Sequence, residues 1–127
     1  MTANGFRQLE LDQKSPIYLQ IVRFVMQAIA SGQLRQDDEL PSRRVLATQL
    51  GINPMTVQKA YQQLEAEGYL ITSNNSVSRI SATKTQQKRI RNLLIEEEVR
   101  QFISRAKKLD LDFKEIVDLI SSSWDRS

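Results

Sequence analysis

Apolar residues recur every three or four positions through most of the chain, which is the spacing of helices that bury one face. The first such run predicts a helix over 16–31, with Ser15 as its N-cap and Pro16 at its first position. Gly32 follows it, as glycine often follows a helix end. Upstream, the alternation of FRQLELDQ, residues 6–13, predicts a short edge strand or an arm.

A connector and a short second helix come next. Residues 33–41 form the connector, with Leu34 and Leu40 as its anchors. Ser42 is a suitable cap for a helix over 43–50. The apolar side chains that we expect to face inward from this helix are Val45, Leu46 and Leu50.

A third helix repeats the same signals. Gly51 ends the second helix, and Asn53 followed by Pro54 starts a helix over about 54–67. Gly68 ends it. Its expected buried stripe is Val57, Ala60, Tyr61 and Leu64.

After the third helix the period changes to that of strands. Residues 69–72 and 77–81 are short runs of strand composition, and SNNS, residues 73–76, lies between them with the composition of a turn. The sequence therefore predicts a β-hairpin at this point.

From Lys84 onward the spacing is helical again, and Asp112 with Glu115 three positions on resembles a capping box that opens a last helix. Two amphipathic helices joined at 109–111 cannot bury both apolar stripes on each other alone. The side chains expected to remain exposed are Phe102, Ile103, Phe113, Ile116 and Ile120. Such a surface usually marks an interface and predicts a homodimer; the alternative is that this pair of helices packs on helix one of its own chain.

Helix, short helix, glycine turn, helix and hairpin are the elements of a winged helix-turn-helix in their usual order. The predicted fold is mainly α with a small β-hairpin. A winged helix-turn-helix DNA-binding domain occupies residues 1–83, and a C-terminal helical dimerisation segment occupies residues 84–127.

In a helix-turn-helix the second helix enters the major groove of DNA, and its N-terminal residues contact base edges. Asn and Gln side chains suit adenine, and Thr can bond several base edges. The methyl groups of Met or Thr suit the thymine methyl, and Arg suits phosphate or guanine. The predicted DNA-binding residues are Ser42, Arg43, Arg44, Asn53, Met55, Thr56, Gln58 and Lys59. The alternatives are that Ser42 and Asn53 are caps only and that the two arginines form a solvated face. Gln62, Gln63 and Glu65 are expected to be solvated.

Composition narrows the class of protein. The chain of 127 residues has no Cys and no His, so it lacks thiolate metal ligands and the commonest general base. We therefore expect no enzyme, no metal site and no cofactor. The net charge of +3 is only mildly basic, so any DNA binding must depend on where the charges lie. The absence of a long apolar run and of a signal peptide predicts a cytoplasmic protein without membrane contact.

The stretch from Ser15 to Leu70 resembles the DNA-binding domain of GntR-family bacterial transcription regulators. The segments that carry the resemblance are PIYLQI, IASGQL and LPSRRVLATQLGINPMTVQKAYQQLEAEG. It implies that Arg44 is a main DNA contact and that Asn53, Met55, Thr56, Gln58 and Lys59 occupy recognition-helix contact positions. The hairpin departs from the family pattern because it has no glycine. The residues available for a wing contact are Asn74, Asn75 and Arg79.

The short C-terminal part, with its pattern LDLDFKEIVDLI, resembles the YtrA-type subfamily, the smallest in the family. This resemblance implies a homodimeric repressor on a palindromic double-stranded DNA operator, often for an ABC-transporter operon. The alternative function is a winged-helix module that binds protein or RNA. The sequence names neither the operator, the regulated genes nor a small-molecule effector, and it does not distinguish a repressor from an activator.

Overall fold

The structure is a computed structural model that describes residues 3–127, with side chains described from residue 5 onward. Met1 and Thr2, at the start of the first predicted domain, lie outside the described residues. The fold is mainly helical with one β-hairpin, as predicted. Its elements are a 3₁₀ helix (Ala3–Gln8), α1 (Ile17–Ser31), α2 (Arg43–Leu50), α3 (Pro54–Ala66), β1 (Leu70–Thr72), β2 (Ser78–Ile80), α4 (Lys84–Lys108) and α5 (Phe113–Trp124). None of the described helices combines the length and apolarity needed to cross a membrane.

The chain divides into two compact units, Met1–Arg91 and Asn92–Ser127, and each is described by itself. In the first unit the prediction of an edge strand over 6–13 is wrong. The segment Ala3–Gln8 is a 3₁₀ helix, and Phe6 is fully buried with its ring centroid 5.2 Å from that of Phe24. Burial of this aromatic ring against α1 outweighs the weak local preference for a strand.

Helix α1 begins one residue later than predicted. Pro16 is its N-cap and makes no side-chain cap bond, so the prediction of Ser15 as N-cap is wrong. The Ser15 carbonyl oxygen instead accepts a hydrogen bond from Gln20 Nε2 at 2.8 Å. At the other end, Gly32 adopts φ +82° and donates its N–H to the Ile29 carbonyl oxygen, which is the predicted helix stop.

Helix α3 packs against both α1 and α2 in the core of the first unit. The predicted boundaries of α2 and α3 are confirmed, and so is the buried stripe of α3, since Val57, Ala60, Tyr61 and Leu64 are all fully buried. The prediction for Val45 is wrong, because this side chain is 51% exposed while Leu46 and Ala47 are buried. The short α2 therefore turns its Leu46 and Ala47 side to the core and leaves Val45 in solvent.

The hairpin is confirmed, and β1 pairs with β2 in an antiparallel register that sets Leu70 opposite Ile80. The connector adds a feature that was not predicted. The Leu40 N–H donates to the Ser78 carbonyl oxygen at 2.9 Å, and the Ile80 N–H donates to the Asp38 carbonyl oxygen at 2.8 Å. Strand β2 is therefore paired on both sides, with β1 on one side and the connector on the other.

The first turns of α4 belong to the first unit. Gln86 Nε2 donates to the Gly68 carbonyl oxygen at 2.9 Å, and Gln87 Nε2 donates to the Ile29 carbonyl oxygen at 3.1 Å. Ile90 is fully buried. These three side chains tie the start of α4 to the ends of α1 and α3, and Gln86 supplies a partner for the Gly68 carbonyl oxygen.

The second unit is a pair of helices with almost no core of its own. The predicted capping box is present, since Asp112 Oδ1 accepts from the Glu115 N–H and Glu115 Oε1 accepts from the Asp112 N–H. Among the described residues of this unit, Ala106 is the only buried one. A groove of about 770 Å³ runs between α4 and α5, and its apolar lining includes Ile95, Val99, Phe102, Ile103, Phe113, Ile116, Val117 and Ile120.

Candidate nucleic-acid interface

The N-terminus of α3 has the conformation expected of a capped helix start. Asn53 is the N-cap, and its Oδ1 accepts a hydrogen bond from the Met55 N–H at 2.8 Å. The Asn53 oxygen is thus used by the cap, while its amide nitrogen remains a donor. Met55 is 70% exposed and Thr56 is half-buried. The partial positive charge of the helix start favours an anionic ligand such as a phosphate at this point.

The two adjacent arginines of α2 differ in their surroundings. Ser42 caps the helix by accepting from the Val45 N–H at 3.2 Å, and the two arginines follow it directly. Arg44 is exposed and makes no hydrogen bond or ion pair with any described residue of the chain. Its guanidinium group is therefore available to an external anion or base edge.

Arg43 is instead held along one side of α3. Its Nε donates to Gln58 Oε1, and its Nη2 lies 3.1 Å from Glu65 Oε1 in an ion pair. The guanidinium carbon also lies 5.0 Å from the centroid of the Tyr61 ring. These three partners, three and four residues apart in sequence, form one stripe on α3. Arg43 therefore binds α2 to α3.

The same network reaches the hairpin. Glu65 Oε1 also accepts from Thr72 Oγ1 at 2.8 Å, so the expectation that Glu65 is merely solvated is wrong. Thr72 Oγ1 lies 2.9 Å from Ser78 Oγ across the two strands. Because Thr72 has a single hydroxyl proton and donates it to Glu65, Ser78 is the donor in that pair. Ser78 is buried, so this chain of hydrogen bonds satisfies a hydroxyl that water cannot reach.

The Tyr61 ring packs against the Arg43 guanidinium group, and its hydroxyl contacts the backbone just before α2. Its hydroxyl donates to the Pro41 carbonyl oxygen at 2.7 Å. Burial raises the pKa of Tyr61 well above its ordinary value, and the nearby Arg43 charge lowers this pKa by a smaller amount. The phenol is therefore neutral at physiological pH and acts as a hydrogen-bond donor.

Lys59, on another side of α3, contacts α1. Its ammonium nitrogen lies 4.1 Å from the centroid of the Tyr18 ring, in a cation–π contact. The predicted base-contacting residues of α3 are thus of two kinds. The side chains of Met55 and Thr56 make no hydrogen bond or cation–π contact with the described residues. Gln58 instead accepts a hydrogen bond from Arg43, and Lys59 contacts the Tyr18 ring.

The predicted wing residues do not all lie together. Asn74 and Asn75 are exposed in the turn, where Ser73 Oγ hydrogen-bonds Asn75 Oδ1. Ser76 takes the left-handed conformation at φ +65° that glycine would adopt more readily. Arg79 lies on β2, and its Nη1 donates to the Asp37 carbonyl oxygen at 3.3 Å. Arg79 is therefore engaged at the connector rather than at the tip.

An open cleft of about 420 Å³ is lined by the start of α2, by one residue of α3 and by the hairpin. It brings together four of the predicted residues with two from the hairpin: Ser42, Arg43, Arg44, Gln58, Thr72 and Ser76. Sequence reasoning missed the last two. Thr72 could have been found from the hairpin register, because pairing Leu70 with Ile80 sets Thr72 opposite Ser78. The other predicted residues lie outside this cleft. The described residues contain no group of three or more His, Cys, Asp and Glu side chains with the geometry to hold a metal ion.

Some known proteins match only the part of the chain that contains the winged helix, and others match most of the chain. The sequence pattern of the family described as bacterial regulatory proteins, gntR family, matches residues 17–80. The repressor YtrA of Bacillus subtilis is 32% identical over 114 residues, which cover 89% of this chain and 88% of YtrA. The regulator YdeL of the same organism is 41% identical over 61 residues, which cover 48% of this chain but 13% of YdeL.

Solved structures of other regulators resemble this one. A GntR family transcriptional regulator from Listeria monocytogenes superposes with a TM-score of 0.77 at 30% identity, covering 88% of this chain and 98% of its own. The DNA-binding domain of AraR in complex with an operator superposes with a TM-score of 0.53 at 25% identity, covering 57% of this chain and 96% of its own. The first likeness extends through both units, whereas the second is to a domain bound to DNA.

Proposed function

Since the chain belongs to the GntR family of bacterial transcriptional regulators and resembles its YtrA-type members, we propose that it represses transcription by binding a palindromic operator as a homodimer. Double-stranded DNA is the partner, and the protein acts in the cytoplasm. By its resemblance to the YtrA-type subfamily, an ABC-transporter operon is the proposed target. Neither catalysis nor a cofactor is part of this function.

The observation that carries the proposal is the exposed Arg44 in a cleft that also includes Gln58 of α3. Arg44 has no partner among the described residues and lines the open cleft with Gln58 and two residues of the hairpin. An arginine fork donates bidentately to guanine or to phosphate. Asn53, Met55 and Thr56 lie at the start of α3, the part of a recognition helix that contacts base edges when it enters a major groove.

The second unit supports the homodimer. Phe113 is 83% exposed and lines the α4–α5 groove, whose lining is mostly apolar. Leaving so many apolar side chains in water is unfavourable, because burial of each contributes roughly 1.5–3 kcal/mol. A second copy offers an apolar surface of the same kind, and a twofold axis lets each copy fill the other's groove.

A twofold dimer also explains why the operator should be palindromic. Two copies of α3 would read two half-sites separated by roughly 34–36 Å or a multiple of that distance. Each half-site then receives the same residues, namely Arg44 from α2 and the polar side chains of α3. Affinity for one half-site alone would be much weaker, since the second contact is gained without a second association step.

The experiment that tests this function is selection of genomic DNA fragments by the purified full-length chain, followed by sequencing and a salt titration. We expect an inverted repeat upstream of an operon, with affinity that falls steeply as salt rises because phosphate contacts release counterions. In-vitro transcription from the recovered promoter should decrease as protein is added. Retention of DNA without any shared sequence would contradict the proposal, and so would increased transcription.

A further inference from the structure

The contact between Arg43 and Gln58 bears on which base the protein reads. Gln58 is the residue of α3 that lines the open cleft, and its expected partner from residue type alone is adenine. That pairing requires the amide oxygen to accept from adenine N6 while the amide nitrogen donates to N7. The orientation and freedom of the amide therefore decide whether the pairing is favourable.

Arg43 determines that orientation. A guanidinium group has five N–H donors and no acceptor, so only the oxygen of the Gln58 amide can face Arg43 Nε. The usual ambiguity between the oxygen and nitrogen of a glutamine side chain is thus removed by chemistry. The hydrogen bond is also charge-assisted, which makes it stronger than one between neutral groups.

Arg43 is itself fixed in place. Its Nη2 is paired with Glu65 at 3.1 Å, and its guanidinium carbon lies 5.0 Å from the centre of the Tyr61 ring. Glu65 is fixed in turn by the Thr72 hydroxyl at 2.8 Å. The guanidinium group is therefore restrained by the ion pair and the ring before it contacts Gln58.

We propose that Arg43 is a positioning residue that makes Gln58 a hydrogen-bond donor to DNA, so that Gln58 selects guanine or thymine over adenine. With its oxygen engaged by Arg43, Gln58 offers the base its NH₂ group. Guanine N7 and O6 and thymine O4 are acceptors in the major groove and match this donor. Adenine N7 is an acceptor too, but the adjacent N6 amino group would face an amide whose oxygen is already engaged by Arg43, so adenine is the poorer match. This inference rests on the proposed function, since it assumes that α3 reads DNA.

The test uses the full chain and randomised operators derived from the selected site. Wild-type protein, Gln58→Ala and Arg43→Met are each used to select from the same pool. The position whose preference disappears in Gln58→Ala is the one that Gln58 reads. Wild-type protein is expected to prefer guanine or thymine there by roughly tenfold over adenine. Arg43→Met, which keeps the apolar stem over Tyr61, should shift that preference to adenine.

Two further variants keep the result interpretable. Arg43→Lys retains a charge for Glu65 but lacks the fork needed to hold Gln58 as well, so it should also relax the preference if Arg43→Met does not fold. Gln62→Ala removes an exposed glutamine from α3 and should leave every preference unchanged. In the free protein, the Gln58 side-chain amide resonance should shift in Arg43→Lys and not in Gln62→Ala.

The possible outcomes distinguish failure of this inference from failure of the proposed function on which it rests. An operator recovered by wild-type protein with adenine at the Gln58 position would overturn the inference and leave the function intact. So would a loss of affinity in Arg43→Met that is uniform over all bases, which would mean that Arg43 contacts phosphate. Recovery of no specific sequence by wild-type protein would overturn both.

Discussion

Lys59 and Tyr18 form a contact between the third helix and the first, with the ammonium nitrogen 4.1 Å from the centre of the ring. We expect Tyr18→Leu to lower the free energy of unfolding by about 0.5–1 kcal/mol beyond its packing effect, because an exposed cation–π pair contributes that much. A double-mutant cycle with Lys59→Met, measured by urea denaturation, isolates this coupling. Strictly additive effects would show that the contact contributes nothing.

Arg44 is predicted to contribute most to operator binding. Arg44→Ala should weaken binding by roughly 1–3 kcal/mol if the side chain contacts a base. The mutation should leave folding and dimerisation unchanged, because Arg44 has no partner among the described residues. Fluorescence anisotropy with the selected operator measures the affinity, and Arg35→Ala, outside the predicted contact residues, is the matched control. Unchanged operator affinity in Arg44→Ala would contradict the assignment.

The pair of hydroxyl groups on Thr72 and Ser78, next to the hairpin turn, is predicted to contribute to stability. Thr72→Val removes the acceptor for the buried Ser78 hydroxyl and the donor to Glu65. We expect a loss of about 1–3 kcal/mol, which is the usual cost of an unsatisfied buried polar group. Adding Ser78→Ala should recover part of it, because the orphaned hydroxyl is then absent. Thermal unfolding followed by circular dichroism tests the pair; a double variant less stable than Thr72→Val would argue against the explanation.

The apolar surface of the second unit predicts the effect of a charge at Phe113. Phe113→Glu should convert the dimer to a monomer, since a carboxylate buried in an apolar interface without a partner is unfavourable. Lys114→Glu introduces the same acid at the next position and serves as the control. Analytical ultracentrifugation distinguishes the two variants. A dimer that persists in Phe113→Glu would place the interface elsewhere.

The stability of a truncated chain should depend on whether it keeps the start of α4. A chain ending at residue 91 keeps Gln86, Gln87 and Ile90 on the first unit, and we expect it to fold as a monomer with weak operator binding. A chain ending at residue 83 loses these contacts. Removing a buried isoleucine alone costs about 2–5 kcal/mol, so the shorter piece should melt at a clearly lower temperature. Equal melting temperatures would show that the start of α4 is dispensable.

The sequence was most informative where local chemistry decides the structure. Ser42 and Asn53 both cap helices as predicted, because each needs only its own neighbours to do so. The buried stripe of α3 was likewise predicted correctly from the helical spacing of its apolar residues. The residues 6–13 were misjudged because the burial of Phe6 depends on Phe24, which lies 18 residues further along.

The candidate site was predictable in its residue types but not in their pairing. Arg43 and Arg44 stand side by side, and the family resemblance singled out Arg44 as a main DNA contact without revealing the partners of Arg43. What separates them is Glu65, which lies 22 residues from Arg43 in sequence and was expected to be solvated. A network that joins two helices and a hairpin depends on tertiary packing, so no local pattern reveals it.

The pairing of β2 on both sides has a consequence for the entropy of DNA binding. With β1 on one edge and the connector on the other, the strand is ordered before any ligand arrives. Fixing one residue's backbone costs about 1–2 kcal/mol, so a wing that was disordered in full would lose much of its binding free energy on contact. Here only the exposed turn at residues 73–76 could still adjust its conformation, and most of the hairpin would bind as a preorganised body.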